Sequence, residues 1–183
     1  MAKAILIVED GVDDFELYYA KYRLLEEGYE VLIASHEKYS NTLEYDPKTG
    51  STRRAKRKIK SKYNLEYEAD ITYKEALNTS FDILVIPGGR SPERARLYAD
   101  ALELVRKAER EGKTIIAICH GPLLLASAGI IRGRRVTGHP GIGDDLRAHG
   151  AEYTGSPAER DGNIITVRHT TTIHEGFRLA LPK

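Results

Sequence analysis

Tryptophan is absent from the 183 residues, and cysteine and methionine occur once each. A single cysteine excludes an internal disulfide, fits a reducing compartment, and raises the question of a catalytic thiol. An excess of either charge is also missing: 28 Lys and Arg against 27 Asp and Glu leave a formal net charge of +1. So balanced a chain gives no global case for nucleic acid or an anionic membrane as partner. Long apolar runs are missing too. Ala4 to Val8 is too short for the core of a signal peptide and meets acid at once, and no run approaches the ~20 residues that span a bilayer. A cytoplasmic protein is expected. The lack of Trp, the single Met and the charge content of 30% hint at a thermophilic source.

The length fits one domain, residues 1–183, and a hydrophobic content of 41% is enough to build a core. Ala4 to Val8 reads as a strand buried on both faces. Asp13 and Asp14 then open a helix carrying Phe15, Leu17, Tyr18, Tyr22, Leu24 and Leu25, closed at Gly28. Tyr29 to Ala34 is a second strand, which gives a βαβ opening and a parallel sheet. Residues 38–64 break the rhythm. They hold Asp46-Pro-Lys-Thr-Gly50 and a run, Arg53 to Lys62, in which seven of ten residues are basic. They read as a basic surface insertion, a solvated hairpin without the interleaved aromatics of a nucleic-acid site. Asn64 to Ile71 is expected to return as a strand.

Phe81 to Ile86 is a strand ended by Pro87-Gly88-Gly89. Ser91 is read as the N-cap of a helix with Pro92 at its first position. A helix over residues 100–111, a strand over Thr114 to Ile118, a short helix over Leu123 to Ala128, strands at Val136 and Ile164 to Val167, and a helix over Ile173 to Leu181 follow. Alternating strands and helices make an α/β sandwich around a mainly parallel sheet. Ligands bind such sheets beyond the carboxyl ends of the strands. That rim would carry Glu9 to Glu16, Pro87 to Glu93 and Cys119 to Pro122.

Cys119 ends a five-residue apolar strand and precedes His-Gly-Pro, so strand turns into helix through one residue. Such an elbow lifts a nucleophile above the sheet. At the N-terminus of a helix, the dipole is expected to lower the thiol pKa. Glu16 and Glu93, taken alone, read as ordinary first-turn acids of their helices. The Cys-His-Gly-Pro context itself favours a functional thiol over a small buried hydrophobe.

Three stretches make the chain resemble the PfpI-type intracellular cysteine proteases, within the superfamily of Parkinsonism-associated deglycases and class I glutamine-amidotransferase-like proteins. They are Asp13-Asp-Phe-Glu16-Leu with Arg23 to Gly28, Ile86-Pro-Gly-Gly-Arg-Ser-Pro-Glu93-Arg, and Ala117-Ile-Cys-His-Gly-Pro122. The resemblance implies a flavodoxin-like fold with Cys119 as nucleophile, His120 as its histidine, and Glu93, supplied by a neighbouring subunit, as the acid of the triad. It implies that Glu16 hydrogen-bonds the thiolate through a protonated carboxyl. It also implies that Gly88, Gly89 and the N–H of His120 form the oxyanion hole, and that the chain works as a homo-oligomer, dimer to hexamer. Two departures stand out: the basic insertion, and His169-Thr-Thr-Thr in place of a proline-containing step.

His36, His139, His149, His169 and His174 show no His-Glu-x-x-His spacing, so no metal and no cofactor are expected. His149 reads as surface, and His139 is placed near the rim. Asp144-Asp145 reads as a helix start. The leading function is cysteine hydrolysis of a peptide or other acyl substrate. A second is a glutathione-independent glyoxalase or deglycase acting on a 2-oxoaldehyde such as methylglyoxal. A third is a redox-sensing or chaperone-like stress protein whose Cys119 is oxidised.

Overall fold

The first strand, β1 (Lys3–Ile7), is apolar throughout because helices cover both of its faces. Ile5 and Ile7 enter one core, while Ala4 and Leu6 enter the other, as the pleat dictates. The computed structural model describes residues 1–181. After β1 come α1 (Asp14–Glu26) and β2 (Glu30–Ser35). The excursion then forms the hairpin β3 (Tyr39–Asp46) and β4 (Ser51–Lys56), followed by β5 (Ile59–Lys60) and β6 (Glu66–Tyr67). The chain rejoins the body through β7 (Ile71–Thr72) and α2 (Tyr73–Leu77). It continues through β8 (Ile83–Ile86), α3 (Ser91–Ala95), α4 (Ala99–Arg110), β9 (Thr114–Ile118) and α5 (Pro122–Ala128). It finishes with β10 (Arg135–Val136), α6 (Gly143–Ala148), β11 (Glu152–Tyr153), β12 (Ala158–Asp161), β13 (Ile164–Val167) and α7 (Ile173–Ala180).

Seven strands form the central sheet in the order β12-β13-β9-β8-β1-β2-β7. All pairs are parallel except the edge pair β12–β13. Residues of α1 and α7 pack in the core on one face, and those of α2, α4, α5 and α6 in the core on the other. α4 shows how the sequence chooses its face. Ala101, Leu104, Val105 and Ala108, spaced three and four apart, are its buried residues, and charged side chains take the rest. β1 feeds β2 on one side, while β8 feeds β9 on the other. The chain direction across the sheet therefore reverses between β1 and β8, which is the switch point where such folds bind ligands.

Three local expectations are corrected. Asn64 to Ile71 is not one strand. β6 and β7 are two-residue pieces in different sheets. Ser91 is not an N-cap but the first residue of α3, and its hydroxyl is turned inward to accept the Glu9 N–H at 2.7 Å. The basic segment is not solvated throughout. Residues 39–56 are an exposed hairpin paired with itself, but Arg57 folds inward with only 12% of its side chain exposed. Its guanidinium bonds Asp10 at 2.8 Å, Ser35 at 3.0 Å and Glu9 at 3.3 Å.

Glu9 is 1% exposed, so its charge has to be compensated in place. It accepts from the Ser35 hydroxyl, the His36 N–H and ring, and the Tyr73 hydroxyl, and Arg57 supplies a permanent cation. Replacing Arg57 with Met leaves that carboxylate buried without the cation. A loss of about 3 kcal/mol is expected in urea unfolding at neutral pH. A midpoint within error of wild type would show that the segment is not anchored here.

Candidate active site

Backbone geometry comes first. Cys119 has φ 59°, in the left-handed region that a non-glycine residue enters at a cost of about 1–2 kcal/mol. Two hydrogen bonds hold it there. Its N–H donates to Val167 O at 2.9 Å, and its carbonyl accepts from the His139 N–H at 2.8 Å. The Gly121 N–H closes the turn onto Ile118 O at 2.7 Å, and Pro122 occupies the first helical position, where no N–H is needed. The elbow read from the sequence is therefore present, with the side chain 7% exposed.

The histidine beside it makes contact. His120 Nδ1 lies 3.4 Å from Cys119 Sγ. Burial first, and then the neighbouring His139, hold the His120 pKa below its usual value. Its ring is therefore neutral near pH 7 and able to accept a proton. Behind it the rings of His139 and His169 follow, with centroid separations of 4.6 Å and 6.2 Å. His139 thus stands at the rim as placed from the sequence, and His169 joins it. His149 is exposed and bonds only the Asp145 carbonyl, and Asp144 and Asp145 lie in the first turn of α6. His36 belongs to the Glu9 cluster.

The helix-dipole expectation for the thiol is overturned. Burial pushes Cys119 up to about 12, and the Glu16 carboxylate adds to the rise, against a smaller pull from the His120 backbone N–H. Magnitudes explain the outcome. A helix terminus supplies about 0.3–1 kcal/mol, whereas three pH units are worth about 4 kcal/mol.

Glu16 is fully buried. Asp13 caps α1 by accepting the Phe15 and Glu16 N–H groups, worth about 1 kcal/mol, and so fixes the turn that aims Glu16 inward. Glu16 Oε2 accepts the Gly88 N–H at 2.5 Å, and Oε1 accepts the Thr170 hydroxyl at 2.7 Å. Among the described residues it makes no hydrogen bond to the sulfur, so the role expected for it as a direct partner of the thiolate is not seen. Burial lifts its pKa to about 7, opposed chiefly by the Thr170 bond. Gly88 explains the closeness of the two groups. A Cβ there would stand 2.6 Å from Glu16 Oε2 and 2.9 Å from Cys119 Cβ.

The oxyanion hole needs a matching correction. The Gly88 N–H is committed to Glu16, so it is not a free donor. The Gly89 N–H donates to no backbone or side-chain oxygen among the described residues, and the His120 N–H is turned toward the Cys119 sulfur; these two are the donors nearest the nucleophile that Glu16 does not hold. Gly89 sits at φ 73°, and a side chain there would collide with the Gly11 carbonyl. Glu93 is exposed in the first turn of α3 and lines the same cavity as Cys119 and His120, but it bonds neither. Within one chain the Cys-His-Glu triad stays open.

Two residues of this site escaped the sequence reading. Thr170 comes from the His169-Thr-Thr-Thr step that departs from the family pattern. Lys62, the last residue of the basic run, lines the cavity and pairs with Asp13 at 3.1 Å. The cavity holds about 550 Å³. Among the described residues no group of three or more His, Cys, Asp or Glu is arranged to hold a metal ion. No helix there is long and apolar enough to cross a membrane.

Fold and site together define an enzyme of the hydrolase or deglycase type with an α/β architecture. The chain belongs to the DJ-1/PfpI family, whose profile matches residues 2–181. It is 38% identical over 176 residues to deglycase PfpI of Pyrococcus furiosus, covering 96% of this chain and 95% of that protein. A two-domain Anabaena variabilis protein with DJ-1/ThiJ/PfpI-like and ferritin-like domains superposes with a TM-score of 0.86 at 29% identity. That match covers all of this chain and 50% of that one. Drosophila melanogaster DJ-1beta shares the fold at a TM-score of 0.81 and 24% identity, over 98% and 89% of the two chains.

Proposed function

We propose that the chain is a deglycase-type carbonyl hydrolase in which Cys119 adds to the aldehyde carbon of 2-oxoaldehydes and their adducts. The observation that carries this reading is a thiol and a carboxyl near pKa 7 packed on either side of Gly88. That pairing suits moving protons more than holding a standing thiolate. His120 Nδ1 takes the thiol proton as the C–S bond forms, and the carbonyl electron pair moves to oxygen, facing the Gly89 and His120 N–H groups. Glu16, able to gain or lose a proton near neutral pH, assists the proton shift from the aldehyde carbon to its neighbour. Water then releases the 2-hydroxy acid and restores the thiol. Overall, one 2-oxoaldehyde and one water give one 2-hydroxy acid. The deglycase relatives support the same reading.

A specific observation favours peptide hydrolysis as the second reading. The 3.4 Å contact between Sγ and Nδ1 is that of a nucleophile and its base, and Glu93 has no hydrogen-bond partner among the described residues. In a homo-oligomer, dimer to hexamer, the partner's acid would complete the triad. The redox-sensor reading calls for a ready thiolate, and burial of Cys119 works against that. Methylglyoxal given without added thiol should yield lactate with wild type and none with Cys119→Ala. Cys119-dependent cleavage of a fluorogenic peptide with no lactate would replace this reading with the second.

A further inference from the structure

The cavity over Cys119 is lined by two cations, Lys62 and Arg90, two acids, Asp13 and Glu93, and several N–H groups. Lys62 and Arg90 line it, and Arg90 makes no ion pair or side-chain hydrogen bond among the described residues. The Lys62 ammonium is half-exposed and bonds Asp13, an acid already committed to capping α1. His139 accepts the Gly141 N–H on Nδ1, and His169 accepts the Thr171 N–H on Nδ1. The neutral His139 ring therefore carries its proton on Nε2, and the His169 Nδ1 also meets the Thr171 hydroxyl at 3.2 Å. The Gly89 and His120 N–H groups add two donors. Glu93 is the one exposed acid in the lining.

A smaller cleft of about 310 Å³ adjoins the same two histidines. It is lined by His139, Pro140, Arg168, His169, Thr171 and Thr172, with no acid. Arg168 is exposed, and among the described residues its guanidinium meets only the Gly155 carbonyl, at 3.4 Å. From the sulfur outward the walls offer N–H donors and two guanidinium groups, those of Arg90 and Arg168, that pair with no acid among the described residues.

From this we infer that the preferred substrates are anionic carbonyl compounds, with a carboxylate or phosphate a few bonds from the reacting carbon facing Lys62 and Arg90. A longer acidic tail would pass His139 and His169 toward Arg168. Neutral methylglyoxal would then be a poor surrogate. The inference rests on carbonyl addition by Cys119, but it can be tested apart from it.

Iodoacetate and iodoacetamide have nearly the same size and differ by one charge. With either, a C–S bond forms at Cys119, the C–I bond breaks and iodide leaves. One cysteine in the chain makes the product unambiguous by mass spectrometry. The iodoacetate-to-iodoacetamide rate ratio at Cys119 should exceed that of a small neutral thiol by about tenfold at low salt. It should fall in 0.5 M salt at roughly the screening expected for exposed charges. It should also fall in Arg90→Gln, which removes an exposed side chain without a partner, and further in Lys62→Gln. A ratio equal to or below that of the free thiol overturns the inference, whatever the enzyme turns over.

A parallel arm compares 4,5-dioxopentanoate, a carboxylate-bearing 2-oxoaldehyde, and its phosphate-bearing counterpart with methylglyoxal. A higher kcat/KM for either anion supports the inference and identifies the group. Turnover of methylglyoxal alone refutes the inference but leaves carbonyl addition standing. Turnover of none of the three removes the reading beneath it.

Discussion

Cys119→Gly yields an inactive protein that is more stable than Cys119→Ala by about 1 kcal/mol. This reverses the usual order, in which alanine is the better residue within regular structure by about 0.5–1 kcal/mol. The reversal comes from φ 59°. Alanine must hold the same left-handed backbone that cysteine holds, at about 1–2 kcal/mol, whereas glycine holds it without strain. Both variants lack the nucleophile, and catalysis should drop by about 10⁴-fold or more. Urea unfolding of the two variants side by side measures the strain. If alanine proves equal or better, the elbow is relaxed, and the hydrogen bonds from Cys119 to Val167 and from His139 to Cys119 do not enforce it. The comparison separates two properties that a single Cys119→Ala variant confounds, the chemistry of the sulfur and the cost of its position.

Glu16→Gln should raise stability at pH 8 by up to about 3 kcal/mol and change it little below pH 4.5. Burial lifts the Glu16 pKa from 4.5 to about 7. A raised acid binds its proton more tightly in the fold than in the unfolded chain. The stability it contributes is complete below 4.5 and is lost as pH rises through about 7. The interval of 2.5 pH units, at about 1.4 kcal/mol each, sets the size. Glutamine escapes that loss because it never ionises. It keeps a carbonyl for the Gly88 N–H, and its amide can donate to the Thr170 oxygen. Activity should nevertheless fall by about 10²–10⁴-fold, since an amide cannot exchange the proton. The Cys119 titration, followed by alkylation rate against pH, should move downward once the facing carboxylate is gone. A wild-type stability that stays flat between pH 4.5 and 8 would mean that Glu16 is not buried as described.

What was legible in the sequence was what local pattern can carry. Ala4 to Val8 and Thr114 to Ile118 are apolar runs that can only be strands buried on both faces. Only Cys119 and His120 separate Ile118 from the Gly-Pro helix start, which leaves Cys119 on an elbow. The dipole argument for its pKa failed because a terminus effect is local and small, while burial depends on everything packed above the turn. Thr170 reaches Glu16 across 154 residues and Lys62 reaches Asp13 across 49, and no spacing rule links such pairs. The direction of the Gly88 N–H turns on one peptide plane, and nothing in Pro-Gly-Gly distinguishes a donor facing substrate from one facing Glu16. Arg57 looked like its six basic neighbours, because a buried cation differs from a solvated one only in what surrounds it.

The anchoring of Arg57 also bears on how such a chain can change over time. Among the described residues the strands of the arm formed by Tyr39 to Lys56 pair only with each other, and the arm meets the body near its end, where Lys56 pairs with Glu68 at 3.6 Å. Beyond it, the chain is tied to the loop after β1 by Gly11 to Lys60, Lys60 to Asp10 and Lys62 to Val12 hydrogen bonds. Insertions and deletions are thereby decoupled from the cavity wall a few residues away. Changes of length are easier to absorb at the exposed turn of the arm than at Arg57, which is bonded to Glu9 and Asp10.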